Sequence, residues 1–207
     1  MITLGQIRMY TPRITLSLML LLTVALALGQ QGLSPQSPAK PNDGSVLCKP
    51  GSLPPDVQSL LKGKFGSWKV QEPADLSPRA RERWESETPL ACPGIAVGQF
   101  ENAKTDSYAV LLVPQSHTDA GYRFLVFSPK AGQPSFEMRS PDTGDSGAAN
   151  FFIRKMRISK FFDESSRRKF QMQTSEGILL ADAAEKEYET EIYFWSNGNY
   201  QHQPVDY

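Results

Sequence analysis

The sequence predicts an α+β fold in which short N-terminal helices pack on a mainly antiparallel β-sheet, closed by one disulfide. Three observations carry this reading. Helix-type apolar spacing is confined to the stretch before Cys92, the pattern from Ile95 onward changes to short β-rich runs broken by Gly, Pro, Asn and Asp, and the two cysteines of the chain, Cys48 and Cys92, bracket the helical part. Helices first and strands afterwards argue for α+β rather than for alternating βαβ units.

The N-terminus reads as an address. Arg8 and Arg13 precede an uncharged, mostly aliphatic run of 15 residues, 14–28, that closes on small residues. This is the layout of a secretory signal peptide. A bilayer-spanning helix takes about 20 apolar residues, so the run is short for a permanent anchor, which is the rival reading. Cleavage after Gly29 is preferred to cleavage after Ala27. Residues 1–29 are thus expected to be removed, leaving an exported protein, periplasmic or extracellular, with no permanent membrane span. Residues 30–44, rich in Pro, Gln and Ser, bury too little to offset the entropy of ordering and read as a tether. Residues 45–207 are of single-domain size.

Removal of residues 1–29 takes away Arg8 and Arg13, leaving 20 of the 22 Lys and Arg against 22 Asp and Glu. A nearly balanced charge gives no footprint for nucleic acid. In an oxidising compartment a lone pair of cysteines normally bridges, so a Cys48–Cys92 disulfide is expected. Closing a loop of that length removes about 4 kcal/mol of unfolded-chain entropy. The spacing lacks the CxxC arrangement of redox sites and, with His117 and His202, makes a thin metal-ligand set.

Within the bracketed segment, Pro54, Pro55 and Asp56 lead into Val57, Leu60, Leu61 and Phe65 on one helical face, ending near Gly63 or Gly66. Ser77 and Pro78 form an N-cap and first helical position before a second helix through Glu85, with Trp84 as its inward anchor. Strands are expected at 95–100, 108–113, 122–127, 135–139, 151–158, 169–173, 178–181, 188–195 and 200–205. Asn197-Gly198 predicts a type I′ hairpin between the last two.

Two blocks, Cys92-Pro93-Gly94-Ile95-Ala96-Val97-Gly98-Gln99-Phe100 with Tyr108-Ala109-Val110-Leu111-Leu112, and Trp195-Ser196-Asn197-Gly198-Asn199-Tyr200, resemble sequences in secreted bacterial proteins of unknown function. That group implies no activity. The first block also resembles a single FG-GAP repeat, whose loop can cage calcium. The corresponding residues, 101–106, offer two carboxylates and one amide, with Lys104 adding a repelling charge. Calcium prefers six to eight oxygens, so a polar hairpin loop is the simpler reading.

No nucleophile elbow, zinc-binding helix or phosphate loop is present, and neither His117 nor His202 sits in a catalytic motif. No cofactor or metal is expected. Asp142-Thr143-Gly144 resembles the aspartic-protease loop, but it occurs once and follows Arg139-Ser140-Pro141, the composition of an exposed loop. Asp142, Asp145, Asp163, Glu164, Glu189 and Glu191 are undistinguished candidates for a hydrolytic carboxylate pair.

The strongest charge asymmetry places Arg154, Lys155, Arg157, Lys160, Arg167, Arg168 and Lys169 against Asp163 and Glu164. The acidic run that follows, Asp182, Glu185, Glu187, Glu189 and Glu191, offset by Lys186, would neutralise it if the two strands paired. Alternation sets Glu189, Glu191, Tyr193 and Trp195 on one face, opposite Thr190, Ile192 and Phe194. The leading expectation is a non-enzymatic binding or accessory module contacting an envelope protein or an anionic glycan through Tyr193, Trp195, Tyr200, Arg154, Arg157 and Lys160, residue types that dominate binding hot spots. The alternative is a small cell-envelope hydrolase using an Asp/Glu pair.

Overall fold

The structure, a computed structural model, describes residues 48, 50–88, 91–116, 120–184 and 190–206. They belong to one compact unit. The proposed signal peptide and tether, together with His117 and Glu189, lie outside the described residues. Among the described residues, no helix is long and apolar enough to cross a membrane.

Among the described residues the architecture is mainly antiparallel β-sheet with three short α-helices and the Cys48–Cys92 disulfide, whose Cα atoms are 5.0 Å apart. Two helices come first, α1 (Pro55–Lys64) and α2 (Pro78–Glu87), separated by a three-residue strand β1 (Trp68–Val70). Eight strands follow: β2 (Ile95–Asn102), β3 (Thr105–Pro114), β4 (Tyr122–Pro129), β5 (Phe136–Gly144), β6 (Phe151–Arg157), β7 (Glu176–Asp182), β8 (Thr190–Ser196) and β9 (Asn199–Pro204). A six-residue helix α3 (Glu164–Lys169) interrupts the passage from β6 to β7.

The strands make two successive meanders. Sheet A runs through β3, β4 and β5, with β2 and β1 both pairing with β3, β2 along its first half and β1 along Leu112–Pro114. Sheet B has the order β6-β7-β8-β9. Every pairing is antiparallel. Sheet B therefore separates the basic strand β6 from β8 by the whole width of β7, which corrects the expectation that basic and acidic strands neutralise each other directly.

Three apolar clusters show how the layers stack. Phe100, Leu111, Phe124 and Val126 of sheet A meet Ile153, Ile178, Leu180 and Tyr193 of sheet B between the sheets. Sheet A buries Val110, Leu112, Leu125 and Phe127 on its other face, against Val57 of α1 and the disulfide. Sheet B buries Phe152, Leu179, Ile192 and Phe194 on its other face, against Ala80 and Trp84 of α2 and the rings of Phe162 and Phe170 beside α3. The order is helix, sheet, sheet, helix, so both sheets are covered on both faces.

Local chemistry explains the elements. Pro55 fits the first turn of α1, and Lys62 and Lys64 complement its C-terminal dipole. Ser77 caps α2 by accepting from the Ala80 N–H at 3.3 Å, and the Trp84 indole donates to the Ala91 carbonyl at 3.1 Å. Asn197 and Gly198 hold φ of 52° and 82°, the positive values that a tight β8–β9 turn requires. Gly94 admits the backbone of Gln71 so closely that an added Cβ would stand 2.5 Å from its carbonyl oxygen.

Two expected elements change. Residues 169–173 form no strand: Lys169 ends α3, Gln171 turns through φ 49°, and only Met172 bridges to Ser196. Asp142-Thr143-Gly144 is not a loop but the end of β5, where the register shift opposite Leu125 takes up Ser140 and Pro141. Proline is tolerated at such a bulge on an edge strand.

Candidate functional site

β5 is one edge of sheet A and β9 one edge of sheet B, and a furrow opens where β5 faces β8 and β9. It holds two adjoining pockets. One, of about 290 Å³, is lined by Tyr122, Asp142, Asp182, Glu191, Tyr193 and His202, with Phe151 and Leu180 at its base. The other, of about 340 Å³, is lined by Met138, Arg139, Ser140, Pro141, Trp195, Asn199 and Tyr200. Tyr193 and Trp195 are two apart on β8, so strand alternation presents one to each pocket.

The first pocket is organised around one phenol. Tyr193 donates to Glu191 Oε2 at 2.8 Å and also lies 3.1 Å from Asp142 Oδ2, which receives the Tyr122 hydroxyl at 2.6 Å. Three short contacts share the two phenolic protons. Glu191 Oε1 is 3.2 Å from His202 Nδ1, and the His202 ring stacks on Tyr193 with centroids 5.2 Å apart. Burial pushes the Tyr193 hydroxyl far above the usual phenol range, reinforced by Glu191 and Asp142; burial and Asp142 do the same to Tyr122. Both phenols therefore stay protonated and donate, while the carboxylates accept.

The second pocket pairs a cation with rings. The Arg139 guanidinium sits 5.3 Å from the centre of the Trp195 ring, and Tyr200 meets that ring edge-on at 5.1 Å. Glu101 faces Ser128, Tyr200 and Arg139 from β2. Burial raises its carboxyl above the ordinary value, while contacts with Ser128 and Tyr200 and the Arg139 charge pull the other way. Burial, with Glu101 alongside, also raises Tyr200.

The six residues expected to form one contact surface are divided. Tyr193, at 2% exposure, and Trp195, at 8%, are buried between the sheets rather than displayed; this corrects the reading of β8 as a strand with one solvent-facing side. Tyr200 is half-buried against Trp195. Arg154, 7% exposed, points the opposite way, under α2, where it meets Glu87 Oε2 at 3.0 Å beside Arg83. Alternation along β6 dictates this, since Phe152, Arg154 and Met156 share the outward face. Arg157 and Lys160 remain exposed at the far end of β6.

Other candidates take structural positions. Asp163 caps α3, accepting the Ser166 N–H at 2.7 Å, which lowers its carboxyl. In the calcium-like stretch, Asn102 Oδ1 is spent on the Lys104 N–H at 2.9 Å, and Glu101 turns toward the furrow. The stretch forms a tight polar hairpin between β2 and β3. Among the described residues, no group of three or more His, Cys, Asp or Glu side chains is placed to hold a metal ion. The residues the sequence reading left aside are Tyr122 and Arg139. Tyr122 opens the β4 run, and Arg139 is two residues from the bulge-forming Pro141, so turn-type composition hid a site that only the sheet stacking assembles.

Comparisons with protein-family models, with curated proteins and with solved structures find no match.

Proposed function

We propose that the protein is an exported, non-enzymatic binding or accessory module whose contact surface is the furrow between β5 and β8–β9, and whose ligand is a glycan of the cell envelope. The observation that carries this reading is the furrow's division into an acceptor-rich half around Asp142 and Glu191 and a donor half around Arg139. Hydroxyl-rich chains need both kinds of group, and a guanidinium suits their carboxylate or sulfate substituents. The disulfide supports an oxidising compartment. The N-terminal signal-like segment supports export, and residues 45–207 are taken as the functional domain.

The test is retention of purified protein on immobilised envelope glycans, comparing the native chain with His202→Ala and Arg139→Ala. The His202 side chain is exposed, so His202→Ala should keep its thermal midpoint, and Arg139→Ala, which gives up the contact with Trp195, should lower it by only about 1–4 °C, while both lose retention. Equal retention by all three would remove the furrow from the reading.

The hydrolase alternative is favoured by one observation. Asp142 and Glu191 both touch the Tyr193 hydroxyl, so their nearest oxygens are no further apart than those two contacts laid end to end, an upper limit that the close carboxylate spacing of retaining glycosidases satisfies. Turnover of an envelope polymer, abolished by Glu191→Gln, would favour catalysis over binding.

A further inference from the structure

A second concavity lies on the opposite side of sheet A, between α1 and the β1–β3 pair. It encloses about 370 Å³, within the roughly 300–1,000 Å³ typical of small-molecule sites. Leu61, Phe65, Trp68, Val70 and Leu112 supply its apolar wall. Its polar neighbours are mostly engaged. The Gln58 amide donates to the Leu53 carbonyl at 2.6 Å, Gln115 donates to the Gly66 carbonyl at 3.2 Å, and Lys69 is held by Asp75 at 2.7 Å.

The charged residues on this lining are not equivalent. Lys62, on the lining at the C-terminal turn of α1, is exposed, and Lys64 follows one residue beyond Gly63. Among the described residues no ion pair involves Lys62. Glu72, just past β1, carries the opposite sign. An apolar trough with an exposed, unbridged cation on its lining suits an amphiphile whose tail lies along Leu61, Phe65 and Trp68 and whose anionic head meets Lys62, where the C-terminal turn of α1 leaves the ammonium in solvent.

We propose that this groove binds a free medium-chain alkyl carboxylate, with its head group on Lys62. The proposal stands apart from the furrow, since the two sites lie on different faces of sheet A. Trp68 is half-buried on the groove, whereas Trp84 and Trp195 are buried elsewhere, so tryptophan emission reports occupancy directly.

The experiment titrates the purified, oxidised protein with hexanoate, octanoate and decanoate below their micelle-forming concentrations, and with decylamine and decanol. Saturable changes in emission are expected for the carboxylates, absent in Trp68→Phe, with affinity rising about fourfold per added methylene as each is buried. Decylamine should bind more weakly than decanoate. Lys62→Gln, an exposed substitution, should weaken decanoate about two- to fivefold, the worth of a solvent-exposed ion pair, and leave decanol unchanged. Equal binding of decanoate and decylamine, or no effect of Lys62→Gln, would show unselective amphiphile adsorption and overturn the proposal. No saturable binding of any carboxylate would overturn it as well.

Discussion

Trp195→Ala separates a packed ring from a displayed one. The indole is 8% exposed, so almost its whole surface leaves water on folding. Truncating a buried Trp costs about 3–5 kcal/mol through lost transfer energy and the hole left behind. The edge-on contact with Tyr200 at 5.1 Å and the Arg139 guanidinium at 5.3 Å are lost with it, at about 0.5–1.5 and 0.5–1 kcal/mol, largely within that range. Because the ring borders an open pocket, water can enter the hole, which places the expected cost near the lower end, about 3 kcal/mol. At roughly 2–4 °C per kcal/mol for a domain of this size, the midpoint should fall by about 6–12 °C. Urea unfolding should show a lower midpoint concentration at an unchanged slope. A loss below about 1 kcal/mol would mean that the ring is not packed between the sheets, and the burial argument would fail.

Three further outcomes follow from named contacts. Tyr193→Phe keeps the ring and removes the hydroxyl shared by Asp142 and Glu191; a hydrogen bond to a charged group is worth about 1.5–3 kcal/mol, readable by chemical denaturation. Glu87→Ala strips the carboxylate that lies against the buried Arg83 and Arg154 guanidiniums and should cost about 3–5 kcal/mol, whereas replacing Arg157, which is exposed, should change stability by less than about 0.5 kcal/mol. Glu101 is raised by burial above its ordinary value of 4.5, so the fold prefers its neutral form. Its contribution is fully present below pH 4.5 and lost as pH rises through the raised folded value. Glu101→Gln should therefore raise the melting temperature at pH 7, with the gain vanishing below pH 4.5 in a pH series of thermal scans.

Antiparallel strands were legible where a β-rich apolar run is bounded by turn residues, as in β3 and β4, and the β8–β9 turn was legible because Asn197 and Gly198 are chemically suited to positive φ. The disulfide followed from there being two cysteines. β1, three residues long, is too short to show a period. The Asp163 cap of α3 was visible as a side chain but was read as charge and as one of several candidate hydrolytic carboxylates. β8 carries Ile192-Tyr193-Phe194-Trp195 without a polar interruption, a pattern that fits a strand covered on both faces; assigning one face to solvent ignored it. The furrow was not legible, because it depends on which sheet edges meet. Tyr122, Arg139 and His202 come from three strands that share no local pattern.

The disulfide also governs how the outer layers dock. Cys48 and Cys92 close a loop with a sequence separation of 44, and that one loop contains α1, which covers sheet A, and α2, which covers sheet B. Once either helix has settled, the tether holds the other at a high effective concentration over its own sheet. Reduction would remove that coupling, leaving the hydrophobic outer faces of both sheets to be capped by independent events.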